Sequence, residues 1–307
     1  MDASSSAGTA ANEKRRRLAG ILLMIVGSAS FAAVDGISKI LAETQSVAQI
    51  VWARYALAIP ALLLMTPPAE WRRLLKTTRP GLQAVRGATP LTLSVMMVLG
   101  VHYLPLADAT VILFAGPFII VALSAPLLGE RVVPASWIGV ALGFAAVVIV
   151  AKPGFGELSA YALYPALAAV FYAFYQILSR SLGAKGERPN TTLAWTLLVG
   201  GVVATPFAIF MWEPLDLRGW LLMAALGTVF GIGQSLLIRA FTNAPAALLA
   251  PFGYAQVIAA TIFGALVFDA VPDWATFVGI ALLIAAGIYV ARVGRVPAAP
   301  PEEAIGE

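Results

Sequence analysis

The sequence contains no cysteine and a single histidine, His102. Without thiols it has no disulfide, iron–sulfur cluster, thiolate zinc site or cysteine nucleophile, and one imidazole is too few for a haem or multi-histidine centre. No cofactor is expected. Charge is scarce too: Asp, Glu, Lys and Arg supply 12% of the 307 residues while 60% are apolar, and the mean hydropathy is +0.87. So few charges cannot clothe a soluble domain of this length, so lipid must solvate most of the surface. Also missing are the signatures G-x-x-x-x-G-K-[ST], H-E-x-x-H and G-x-S-x-G. A membrane-embedded enzyme would need such a constellation, and only Asp35 with Asp108 is left as an acidic pair for that reading.

What is present is a succession of apolar stretches about twenty residues long, the length a helix needs to cross the hydrocarbon core. Spans are predicted at 18–40, 47–66, 81–101, 105–127, 135–151, 158–180, 191–211, 219–239, 246–268 and 274–292. Residues 1–17 and 293–307 read as disordered cytoplasmic tails. The basic residues test this map, because cytoplasmic loops collect Lys and Arg. With the N-terminus inside, those loops hold Lys14, Arg15, Arg16, Arg17, Arg72, Arg73, Lys76, Arg79, Arg131, Arg180, Lys185, Arg188, Arg239, Arg292 and Arg295, and the opposite side only Lys152 and Arg218. An even number of spans near ten follows, with both termini cytoplasmic. The net charge of +4 therefore reads as topology rather than as a nucleic-acid surface. The basic start followed by Ser28-Ala29-Ser30 has the form of a signal peptide, but removing that span would leave the two halves of the chain unmatched.

Those halves repeat. Ile149-Val150-Ala151-Lys152-Pro153-Gly154 matches Tyr289-Val290-Ala291-Arg292-Val293-Gly294, and Trp137-Ile138-Gly139 matches Phe277-Val278-Gly279. Leu104-Pro105-Leu106-Ala107 likewise answers Ala244-Pro245-Ala246. Residues 18–152 and 158–292 thus form two copies of five spans. Five is odd, so the second copy must enter the membrane from the opposite side. The expected architecture is an all-α membrane protein of about ten transmembrane helices, arranged as two five-helix inverted-topology repeats. Such repeats are characteristic of secondary transporters, whose substrate site lies near the midplane between the halves.

Ala107-Asp108-Ala109-Thr110, then Pro117, Leu128-Gly129-Glu130-Arg131, Pro134, Gly139 and Gly143 resemble the repeat of the drug/metabolite transporter superfamily, EamA type. The second copy, with Pro251, Asp269, Pro272, Gly279 and Gly287, is similar but degraded. Val51-Trp52-Ala53-Arg54-Tyr55, Leu237-Ile238-Arg239-Ala240-Phe241 and Ala250-Pro251-Phe252 resemble a bacterial subset that includes riboflavin importers and S-adenosylmethionine transporters. The resemblance implies a central cavity, transport without ATP hydrolysis and a place in the bacterial inner membrane. It implies a small-molecule substrate, riboflavin or a similar heterocycle, with S-adenosylmethionine, or export of an amino acid or drug, as the alternative. Beyond substrate and lipid bilayer no partner is expected and no nucleic acid; a homodimer is compatible with this organisation.

An ionisable group inside the bilayer costs about 2.5–3.5 kcal/mol on insertion scales, so each is a functional candidate. Asp35 and Lys39 share a face of the first span. Arg54 lies about 10 Å into the second, at 1.5 Å per residue, and Asp35 at similar depth. A pair between them would line the outer half of the cavity or simply join two helices. Lys39 is expected to snorkel to the outer surface and Arg86 to the cytoplasmic one. Asp108 starts the fourth span, where an acid also suits the helix dipole. Gln176, Gln234 and Gln256 offer amides for a ligand or for interhelical hydrogen bonds. Tyr55, Phe114, Tyr175 and Tyr254 are the aromatic candidates for stacking against a planar ligand. Pro117, with Pro60, Pro165, Pro206 and Pro251, marks places where a span can kink.

Overall fold

Apolar residues recur all round most of the predicted spans, which favours helices buried in lipid or protein on every side. The computed structural model describes residues 3–128, 134–152 and 158–293, and among them no strand occurs. The first half holds α1 (Ala3–Leu41), α2 (Val47–Ala56), α3 (Ile59–Met65), the short α4 (Pro68–Trp71), α5 (Pro80–Tyr103), α6 (Leu106–Leu113), α7 (Gly116–Leu128) and α8 (Ser136–Ala151). The second holds α9 (Leu158–Tyr161), α10 (Leu163–Ala184), α11 (Pro189–Phe210), α12 (Leu217–Asn243), α13 (Ala246–Leu249), a 3-10 turn (Ala250–Tyr254), α14 (Ala255–Phe268) and α15 (Trp274–Val293). Among the described residues, eight helical stretches are long and apolar enough to cross a bilayer. Of the other two predicted spans, α8 is apolar but 16 residues long, and α10 is long enough but carries a polar face with Gln176, Ser179 and Arg180. Leu64, Phe210 and Leu266 are among many large apolar side chains left exposed, as a lipid-facing surface requires.

The helix contacts map onto themselves when the halves are exchanged. α1 lies along α12 as α10 lies along α5; α1 meets α14 as α10 meets α7; α5 meets α11 as α12 meets α2. The pairs α2 with α11, α6 with α14 and α8 with α15 join each helix to its own counterpart. Two glycines show the symmetry atom by atom. A Cβ on Gly139 would lie 2.1 Å from Val290 Cγ2, and one on Gly279 would lie 2.3 Å from Val150 Cγ2. Both bare backbones let α8 and α15 approach closely. α1 and α12 run antiparallel, Gly20 beside Ala244 and Gly27 beside Leu237. Phe268 lies by Lys39 at the far end of α1, so α15 starts there and ends on the face where α1 begins.

Two expectations change. Residues 3–17, read as a disordered tail, are helical and continuous with α1. Once the membrane segment has nucleated the helix, each further residue adds a hydrogen bond with no new nucleus to form, and Arg17 pairs with Glu13 one turn away. The Leu128-Gly129-Glu130-Arg131 turn falls at Gly129 to Arg131 outside the described residues, as does the tail from 294 onward. Among the prolines, Pro60 and Pro117 sit at the second position of α3 and α7 and Pro251 at the second position of the 3-10 turn. There the missing N–H costs nothing. Each marks a helix restart rather than a kink within a continuous span.

Candidate functional site

Ser46 caps α2 and accepts from the Gln49 N–H at 3.3 Å, while Gln49 Oε1 accepts from the Ser46 N–H. The same Gln49 amide exchanges two 2.9 Å hydrogen bonds with the Glu213 backbone. This fixes where α2 enters, and so places Arg54 two turns further in. Arg54 and Asp35 are 3% and 4% exposed, and Arg54 Nη2 donates to Asp35 Oδ1 at 3.0 Å. It also donates to Ser38 Oγ at 2.9 Å, and Nη1 to Ser94 Oγ at 3.3 Å. The pair expected from depth counting is therefore present. The Phe230 ring lies 5.9 Å from the guanidinium carbon. Arg54 Nε has no partner among the described residues.

Tyr55, the next residue, is wholly buried and donates to the Pro90 carbonyl at 2.6 Å, with Ser94 Oγ 2.9 Å away. Its ring meets Phe230 edge-on at 5.5 Å and rests on Gly200, where a Cβ would come within 2.4 Å of Cδ1. Pro90 cannot donate to the carbonyl one turn back. Thr89 Oγ1 supplies that donor instead, at 2.7 Å from the Arg86 oxygen.

Arg86 does not snorkel. It is 5% exposed, because α10 and α11 cover the face of α5 that carries it. Its Nε donates to Ser179 Oγ at 3.0 Å, and Nη1 to the Thr192 carbonyl at 2.9 Å and to the Thr196 hydroxyl. Tyr175 lies beneath the guanidinium, 4.2 Å from Cζ to ring centre. Gln83, one turn nearer the face of the termini, donates to Glu187 Oε2 and Thr192 Oγ1. Gln83, Arg86, Pro90 and Ser94 thus form a buried polar seam about 16 Å long at 1.5 Å per residue. Sequence reading missed it. Its signal was the spacing of Arg86, Pro90 and Ser94 at intervals of four, together with Gly87, where a Cβ would lie 3.0 Å from Val199 Cβ.

Lys39 also departs from the expectation. Its ammonium donates to the carbonyls of Leu104, at 2.9 Å, and Val101, closing the end of α5 where a cation favours the dipole. Asp108 belongs to a separate cluster at the far end of the bundle. Thr276 Oγ1 donates to Asp108 Oδ1 at 2.6 Å, and Asp273 joins Thr276 to Lys152. Phe114 and Tyr254 meet at 5.3 Å between ring centres where both broken spans restart, with Pro117 one turn on. Gln176 donates to Tyr172 Oη at 3.2 Å. Gln234 and Gln256 are half-buried and are not brought to the Asp35–Arg54 pair by any hydrogen bond among the described residues. No group of three or more metal-ligating side chains occurs among the described residues.

The arrangement is polar where the halves meet and apolar outside, an environment that suits ligand binding. Comparison with known proteins agrees. The EamA-like transporter family model matches residues 18–152 and 159–292. The chain is similar to the pseudopaline exporter CntI of Pseudomonas aeruginosa, 30% identical over 90% of this chain and 97% of the other. It is 27% identical to the S-adenosylmethionine uptake transporter of Rickettsia bellii, over 88% of this chain and 92% of that one. Against the riboflavin transporter of Brucella anthropi it is 25% identical over 88% and 97%. A crystal structure 20% identical superposes with a TM-score of 0.64 over 92% of this chain and 99% of the other, a likeness of fold.

Proposed function

We propose a function from the premise that the chain belongs to the EamA-like transporter family: it is a secondary transporter that carries a small organic metabolite across the bacterial inner membrane by alternating access, with both termini cytoplasmic. The observation that carries this reading is the self-mapping of helix contacts around a buried charged network. Two copies of opposite orientation have two equivalent packings, and exchanging them opens the interface to one side or the other. Asp35 and Arg54 would line the pathway, since two charges held in a bilayer without a structural need for both would be costly to keep.

The substrate proposed is a planar heterocyclic compound such as riboflavin, supported by the aromatic residues Tyr55, Tyr175 and Phe230 around the seam. Export is the second reading, favoured by the 30% identity to an exporter. The test is counterflow in proteoliposomes made with the purified full-length chain and loaded with riboflavin or S-adenosylmethionine. Saturable exchange of either supports the proposal. Conversion of the compound without accumulation would mean an enzyme, and flux that does not saturate would mean a channel.

A further inference from the structure

Arg54 and Arg86 are the two arginines the described fold buries, and they are balanced differently. Arg54 has Asp35. The ion pairs among the described residues are Arg17 with Glu13, Arg54 with Asp35 and Lys152 with Asp273. Arg86 is in none of them. Its acceptors are two hydroxyls and a carbonyl, all neutral, and its Nη2 has no hydrogen-bond partner among the described residues. The carboxylate of Glu187 is occupied by Thr77, Thr78 and Gln83. A cation taken out of water without a counter-ion is among the costliest groups a fold can hold. It also cannot discharge itself, because guanidinium does not deprotonate in proteins.

We propose that Arg86 is the binding site for the carboxylate of the transported molecule, with the Tyr175 ring as the wall that aligns it. This rests on the transport reading and names the substrate class, a metabolite with one carboxylate beside a flat apolar body. S-adenosylmethionine meets that condition and riboflavin, which has no carboxylate, does not. With Nε and Nη1 taken, the two N–H donors of Nη2 remain for a carboxylate oxygen, a charge-assisted hydrogen bond. One buried cation neutralises a single negative charge, whereas a dianionic phosphate would leave the second charge unmatched in a low-dielectric site. Tyr175 fixes the plane of the guanidinium, with its ring centre 4.2 Å from Cζ. The hydrogen bonds from Nε and Nη1 to α10 and α11 leave Nη2 as the group that receives the ligand.

The test uses the full-length protein in nanodiscs with two isosteric probes, indole-3-acetate and the neutral indole-3-acetamide, read by thermal shift. Indole-3-acetate is expected to raise the unfolding midpoint saturably at millimolar concentration and the amide is not. Arg86→Gln should weaken the acetate about 10- to 100-fold, the worth of a hydrogen bond to a charged group. Arg86→Lys keeps the charge and loses the Nη2 donors, so it should fall between the two and keep the preference for acetate over amide. Tyr175→Leu leaves the charge untouched and should weaken indole-3-acetate while sparing plain acetate. No binding of indole-3-acetate, equal binding of acid and amide, or undiminished binding by folded Arg86→Gln each overturns the carboxylate site. Counterflow separates the two readings. Saturable riboflavin exchange without any acid preference retains transport and removes the site; acid-selective binding with no exchange of any probe does the reverse.

Discussion

Replacing Asp35 by Asn removes the counter-charge of Arg54 and leaves the guanidinium in place. The two groups are 3.0 Å apart and almost wholly buried. After the change Arg54 keeps Ser38 at 2.9 Å and Ser94 at 3.3 Å, both neutral, and Nε remains without a partner. Breaking a buried pair on one side costs about 3–5 kcal/mol, because the survivor is an uncompensated charge. Asp35→Asn belongs at the upper end, since arginine cannot shed its proton. Arg54→Met belongs at the lower end, since the stranded carboxyl can protonate. The double variant strands no charge and should cost only about 0–2 kcal/mol, since apolar replacement of a buried pair is close to neutral.

Equilibrium unfolding in mixed micelles, followed by the fluorescence of the seven tryptophans, measures all three variants. The expected coupling is therefore several kcal/mol of non-additivity. Single losses below about 1 kcal/mol, or a double loss equal to the sum of the singles within about 0.5 kcal/mol, would refute the reasoning. The same double variant separates the two roles of the pair. If Asp35 and Arg54 only join helices, a stable double variant transports; if they line the pathway, it is stable and inactive.

Other predictions follow from the packing and from the two ends of the bundle. Gly139→Ala drives a Cβ against Val290, 2.1 Å away, and should destabilise by about 1–3 kcal/mol; Val290→Ala should rescue it, as Val150→Ala should rescue Gly279→Ala. A thermal scan showing no rescue in either pair would remove the symmetric contact from the account. At the far end, the Lys152 hydrogen bond holds the Asp273 carboxyl below its ordinary 3.8. A depressed value means that the contribution is present above 3.8 and lost as pH falls through the lowered value. Both side chains are over a third exposed, so Asp273→Asn should cost under about 1 kcal/mol at pH 7, with the difference from the parent shrinking below pH 3.8; a constant difference down to pH 3 would contradict this. At the face of the termini, hydrogen bonds from Thr77 and Thr78 hold Glu187 below its ordinary 4.5, so this latch between the α10–α11 link and residues 77–78 is intact at neutral pH. Glu187→Gln should speed amide exchange at Thr78, whose N–H donates to that carboxylate at 3.2 Å; unchanged exchange would show that the latch does not close.

Much of the frame was legible because it depends on rules that act along the chain. Span length reports the bilayer, and the match of Ile149 to Gly154 with Tyr289 to Gly294 reports two copies of α8. Gly139 and Gly279 stand at matched positions of the two copies, and the close approach of Val290 and Val150 explains why both are glycine. Asp35 and Arg54 were legible because both distances are counted from nearby helix ends on one side. Arg86 was not. Counting from the end of α5 gives its depth, but whether an arginine reaches water depends on what covers its face, and here the cover is α10 and α11, about a hundred residues further on. The same blindness hid Lys39, whose acceptors at Val101 and Leu104 belong to α5.

Asymmetry within the symmetric frame then has a mechanical consequence. The charged residues buried among the described ones are Asp35, Arg54 and Arg86, all in the first half; the second half buries neutral Thr191, Thr192, Thr196, Ser235 and Thr276. Arg54 draws its hydrogen bonds from Asp35 and Ser38 on α1 and Ser94 on α5, helices of its own half. Those bonds travel with it in any motion of one five-helix unit against the other. Arg86 draws its bonds from Ser179 on α10 and from Thr192 and Thr196 on α11, helices of the opposite half. A relative displacement of the halves by an ångström or two exceeds the tolerance of those bonds. It must therefore break or exchange them while the Arg54 network stays whole. A group that replaces the lost acceptors during that motion stabilises the moving state more than the resting one, which is the differential interaction a ligand needs in order to drive a conformational change.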